Sequence, residues 1–116
     1  MKRKYQQLIV WQKAMLLVNH IYQCTQHFPD NEKFGLTSQL RRAAVSVPSN
    51  IAEGSGRGSD KDFCRFLYLA RGSLTEIETQ LLIAQQLGFY KIDQDLDDLT
   101  QQVFAMLNKL IQSLSK

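Results

Sequence analysis

Apolar residues recur at steps of three and four over four stretches of this chain, and each stretch ends at a turn signal. In the first, Trp11, Ala14, Leu17, Val18, Ile21 and Tyr22 share one helical face. The pattern predicts a helix over about 8–27, stopped where Pro29 pushes Phe28 out of helical geometry. Leu36, Leu40, Ala43, Ala44, Val47 and Ile51 predict a second helix over 36–54, with Thr37 or Ser38 as its cap. Pro48 lies inside it and reads as a kink, because the apolar period resumes in register at Ile51. After the break Gly54-Ser55-Gly56-Arg57-Gly58-Ser59, a third helix runs over 60–87. Ser59 and Asp62 stand at capping-box spacing before it, Phe63, Phe66, Leu67, Ala70, Leu74, Ile77, Leu81 and Ala84 line its buried side, and Gly88 stops it. The fourth, over 95–114, carries Leu96, Leu99, Val103, Met106, Leu107, Leu110, Ile111 and Leu114 behind a cap at Asp93 or Asp95.

Four helices on short connectors predict an all-α, antiparallel up-down four-helix bundle occupying residues 1–116 as one domain. A chain of 116 residues buries roughly two-thirds of its unfolded surface, so it needs neither disulfide nor metal. Cys24 and Cys64 form no CxxC and read as small, reduced core residues.

Once the core is assigned, the second helix retains two further faces. Arg42, Ser46, Asn50 and Glu53 form a polar stripe that faces Ser73 and Glu76 on the third helix. Two roles are open to it: a mutually satisfied network fixing helix register, or a ligand site. Val45, Pro48 and Ala52, with Arg41 beside them, make a small apolar face. A helix apolar on two sides is usually covered on two sides, so this face predicts self-association; the alternative is that Val45 and Ala52 are ordinary exposed apolar residues.

Charge changes the picture next. Residues 1–58 hold eight Lys/Arg against three Asp/Glu, and residues 59–116 hold six against eight, so a net +3 is split as +5 and −2. Lys2, Arg3, Lys4, Arg41, Arg57, Lys61 and Arg65 are the candidate phosphate contacts of a salt-sensitive RNA- or DNA-binding surface. Catalysis finds little support. His20 and His27 form no metal motif, no histidine is placed by sequence beside a nucleophile, and the Gly54–Ser59 segment lacks the Gly-Lys-Ser/Thr ending of a P-loop. The expectation is a non-enzymatic protein with no cofactor. No apolar run approaches a membrane span and no signal-peptide core follows the basic start, so the expected location is cytoplasmic.

The run Phe34-Gly35-Leu36-Thr37-Ser38-Gln39-Leu40-Arg41-Arg42-Ala43-Ala44-Val45-Ser46-Val47-Pro48-Ser49-Asn50-Ile51-Ala52-Glu53-Gly54 closely resembles the bundle proteins of the 23S rRNA intervening-sequence family. Trp11-Gln12-Lys13-Ala14 resembles that family's first-helix motif. Phe66-Leu67 with Ala70-Arg71-Gly72-Ser73-Leu74-Thr75-Glu76 and Glu78-Thr79-Gln80-Leu81 resembles its third-helix motif. The resemblance implies a ring of subunits side by side, a homopentamer, with a polar network at Arg42, Asn50, Glu53, Ser73 and Glu76. The family is in turn similar to the accessory variability determinant of diversity-generating retroelements, which implies nucleic acid and a reverse transcriptase as partners. The rival expectation is a scaffold that assembles a partner protein without touching nucleic acid.

Overall fold

The computed structural model describes residues 3–115, so Lys2 lies outside the described residues. Four α-helices account for most of them: α1 (Ile9–Thr25), α2 (Leu36–Ser55), α3 (Asp60–Gln86) and α4 (Gln94–Leu114). Short 3-10 turns occupy Lys4–Gln7 and Asp30–Glu32, and no strand occurs among the described residues. The helices form a closed ring of neighbours, α1 against α2, α2 against α3, α3 against α4 and α4 against α1, in a body 44 × 25 × 21 Å.

The core follows the periodic faces. Leu17, Ile21, Leu40, Val47, Ile51, Leu67, Leu74, Ile77, Val103 and Leu107 are sealed from solvent at its centre. α2 and α3 approach closely at Gly54. A Cβ there would stand 2.6 Å from the Phe66 Cβ and 3.3 Å from the Phe63 carbonyl oxygen, so only glycine lets the helices meet.

The helix ends show where local chemistry decides. Ser59 Oγ accepts from the Asp62 amide, and Asp93 accepts from the amides of Asp95 and Leu96. Gly88, at φ +81°, ends α3 in a Schellman motif: the Phe89 amide donates to the Ala84 carbonyl and the Gly88 amide to that of Gln85. At α2 the N-cap position falls to Gly35 rather than Thr37 or Ser38. The Glu32 carboxylate reaches forward from the preceding turn and accepts from the Leu36 amide at 3.0 Å, so the helix has already begun when Thr37 and Ser38 are reached. α1 stops at Thr25, two residues short of its periodic pattern. Phe28 turns into the core against Phe89 there, and Gln26 tightens onto the Gln23 carbonyl. α2 runs unbroken through Pro48, whose ring removes one backbone donor.

Candidate nucleic-acid interface

The candidate cations do not form one surface. Arg41 lies in the second turn of α2 and Arg57 just past its far end. Helical rise puts them about 20 Å apart, well beyond a Debye length of about 8 Å. Arg3 precedes and Lys4 opens the first 3-10 turn, which folds back over the bundle through a Tyr5–Trp11 edge contact (5.4 Å) and a Gln12 to Gln6 hydrogen bond. That turn also packs on α2.

At the α2–α3 corner, Arg57 and Arg65 both lie over the Phe66 ring, at 4.8 and 4.5 Å from its centroid. Acids occupy the same two guanidiniums. Arg57 bonds Glu53 at 3.0 Å and lies 3.8 Å from Asp62, and Arg65 bonds Asp62 at 3.0 Å. Two arginines against two carboxylates leave no net charge, and Lys61 is the one exposed cation added beside them.

The other end of α2 is built differently. Arg41 is pinned: its Nε donates to Thr25 Oγ1 at 2.8 Å, and its guanidinium stacks 4.5 Å from the Tyr22 centroid. Arg42, next to it, is exposed and forms no ion pair among the described residues. Lys33 stands 5.7 Å from the Phe34 centroid, and Phe34 is 91% exposed. Tyr22, Lys33, Phe34, Thr37, Ser38, Arg41, Arg42 and Val45 line an open cup of about 480 Å³ without an acid among them. The nearest acid in sequence, Glu32, is engaged in capping α2. Across α1 an acid enters. Burial, reinforced by the Asp93 carboxylate, pushes the Cys24 thiol up to about 11. Between α3 and α4, burial and the neighbouring Asp97 raise the Glu78 carboxyl. On that far side of α1 a cation and an acid, Lys91 and Asp93, line the same hollow, whereas the cup on the α1–α2 side is lined by cations alone among charged groups.

The polar stripe of α2 divides into separate contacts. A hydroxyl bond joins Ser46 to Ser73, and Asn50 donates to the Ser46 carbonyl at 2.8 Å. Glu76 accepts from Gln80, which also reaches Gln39, both at 3.4 Å. Gln80 is 7% exposed, and its Oε1 has no partner. Arg42 and Glu53 are not tied into these contacts: the first faces solvent and the second pairs with Arg57. Register between α2 and α3 is held at this level by two serines, not by a buried ion pair.

Val45, Pro48 and Ala52 lie together, but the N-terminal turn partly covers them. With Tyr5, Trp11, Met15 and Val18 they line a groove of about 310 Å³, in which Pro48 is buried and Val45 remains 42% exposed.

The sequence pattern of the 23S rRNA-intervening sequence protein matches residues 6–111. The chain belongs to that family. Among solved structures, it is similar to a protein of unknown function from the S23 ribosomal protein family of Bacteroides thetaiotaomicron. The two share 20% identity, with 90% of this chain and 96% of that one covered at a TM-score of 0.81. At that identity the likeness concerns the fold. No functionally curated protein matches the chain. For this member of the intervening-sequence family, the cup at the start of α2 is the site that sequence reasoning missed. Arg41 was visible among the candidate cations, whereas Tyr22 on α1 and the adjacent Lys33 and Phe34 before α2 fall in two segments that only the fold brings together. The one signal in the sequence was an aromatic residue flanked by lysine immediately before a helix start.

Proposed function

We propose that this chain is a non-enzymatic, cytoplasmic homo-oligomer, a pentamer of antiparallel up-down bundles, that binds structured RNA or DNA. The observation that carries the binding reading is the acid-free cup, where Lys33, Arg41 and Arg42 meet exposed aromatic rings. Cations interleaved with aromatics suit nucleic acid, because phosphates take the charge and bases take the rings. Membership of a family named for 23S rRNA intervening sequences is compatible with such a role.

The up-down arrangement is supported by which helix ends meet. Arg41 at the start of α2 reaches Thr25 at the end of α1, Gly54 at the end of α2 abuts Phe66, and Cys64 early in α3 approaches the Ile111 carbonyl late in α4. Self-association is supported by the Trp11–Val45–Ala52 groove, which leaves apolar surface open beside the N-terminal turn. Side-by-side copies would multiply a cup that is modest alone.

Light scattering coupled to size exclusion tests both parts. A pentamer-sized particle that gains mass with a structured RNA at low salt, and loses it at high salt, is the expected result. A particle indifferent to RNA at every salt concentration would sink the binding reading. A second reading, a scaffold for a partner protein such as a reverse transcriptase, is favoured by one observation: Tyr68, Leu69, Leu82 and Ile83 leave apolar surface exposed along α3. It predicts capture of that partner after nuclease treatment.

A further inference from the structure

Phe34 is the most exposed large apolar side chain among the described residues. Its neighbours in sequence are built into the fold: Gly35 starts α2 and Leu36 is buried. The ring contributes almost nothing to the core, yet it stands at the rim of the one acid-free concavity that gathers three cations. Thr37 and Ser38 line the same cup, Thr37 buried and Ser38 half-buried.

Resting on the nucleic-acid reading above, we propose that this cup takes an unpaired nucleotide of RNA, stacked on Phe34. Lys33 and Arg42 hold the phosphates on either side of that nucleotide, and Arg41 supplies a fixed charge behind it. A duplex keeps its base faces stacked inside the helix, so a protruding phenyl ring gains nothing from paired strands. A loop, bulge or end offers a free face. The cup's volume falls in the roughly 300–1,000 Å³ range of small-ligand sites. The half-buried hydroxyl of Ser38 matches the 2′-hydroxyl, which both donates and accepts, and so selects RNA over DNA.

The test uses the full chain and labelled probes read by fluorescence anisotropy at low salt: a short RNA hairpin with an unpaired loop, the same hairpin in DNA, and a blunt RNA duplex. Phe34→Ala is expected to weaken hairpin-RNA binding by about 5- to 150-fold, the range of losing one base–aromatic stack. Duplex binding should change less than about twofold, because phosphate contacts remain. Phe34→Tyr should restore hairpin binding. Because the ring lies outside the core, the alanine variant keeps the fold. If Phe34→Ala left hairpin affinity intact while the wild type still bound RNA, the stacking site would fall and the nucleic-acid reading would stand. If the wild type bound no probe, both would fall. Equal binding of RNA and DNA hairpins would overturn the RNA assignment. A changed particle mass with unchanged RNA affinity would reassign Phe34 to a contact between copies of this chain.

Discussion

Two pairs of arginines sit at opposite ends of α2, and each end stacks guanidinium on an aromatic ring. At the Phe66 corner, Arg57 and Arg65 share the ring with Glu53 and Asp62 close by, so the cluster is closed upon itself. At the Tyr22 end, Arg41 is held by a hydroxyl and a ring, neither of which carries charge, and Arg42 forms no ion pair among the described residues. Ring stacking rigidifies an arginine without neutralising it, whereas a carboxylate at 3.0 Å does both. Counting cations along the sequence treats the four alike; available charge depends on where the acids lie.

The largest effect should come from the crowded corner. Gly54→Ala forces a Cβ onto Phe66 Cβ and the Phe63 backbone, and is expected to destabilise the fold by about 1–3 kcal/mol. Urea denaturation measures this, and an unchanged midpoint would show that α2 and α3 can separate there at little cost.

Charge removal separates the two ends. Lys33→Gln with Arg42→Gln should lower RNA affinity roughly tenfold at low salt, since exposed charge contacts are worth up to about 1 kcal/mol each. It should also flatten the salt slope by about 1.4 for single strands. Arg57→Gln with Arg65→Gln should leave the slope almost unchanged. Equal losses from both pairs would erase the distinction between the ends.

Arg41→Ala removes both the Thr25 hydrogen bond and the Tyr22 stack, and should lower stability by about 1–2 kcal/mol. A stability equal to wild type would mean that this arginine is free for a ligand after all. A smaller and more diagnostic effect is expected from Asp62→Asn. It leaves Arg57 and Arg65 on their ring but removes the carboxylate they share, so RNA affinity should rise a few-fold and the salt slope steepen by about 0.7.

The smallest effect concerns the far side of α1, beside Asp93. Burial and Asp93 raise Cys24 from 9.0 to about 11, so its thiol should alkylate slowly at neutral pH compared with the denatured chain. The folded state holds a proton that the unfolded chain gives up sooner. That contribution to stability is therefore intact below about pH 9 and is lost as pH rises towards 11. Rapid labelling of Cys24 at neutral pH would contradict this surrounding.

Much of the fold was legible because helical period depends on neighbours three and four apart. The faces through Leu17, Leu40, Leu74 and Leu107 could be drawn before any contact was known. Ser59, Gly88 and Asp93 acted at the ends where their types predict. The α2 start was not legible, because its cap comes from Glu32, a side chain outside the helix. The site was less legible still. Arg42 and Glu53 looked like members of one network because both lie on the face of Ser46 and Asn50. Face alone does not say that Arg57 would take the Glu53 carboxylate.

What the sequence determined by itself was which residues turn inward, since each helix needs one apolar stripe and local spacing sets it. The tertiary structure alone decided that Asp62 would also approach Arg57 across the α2–α3 turn, and that Lys33 and Arg42 would gather in one cup with no acid lining it, because charges interact over a few ångströms and only folding closes those distances.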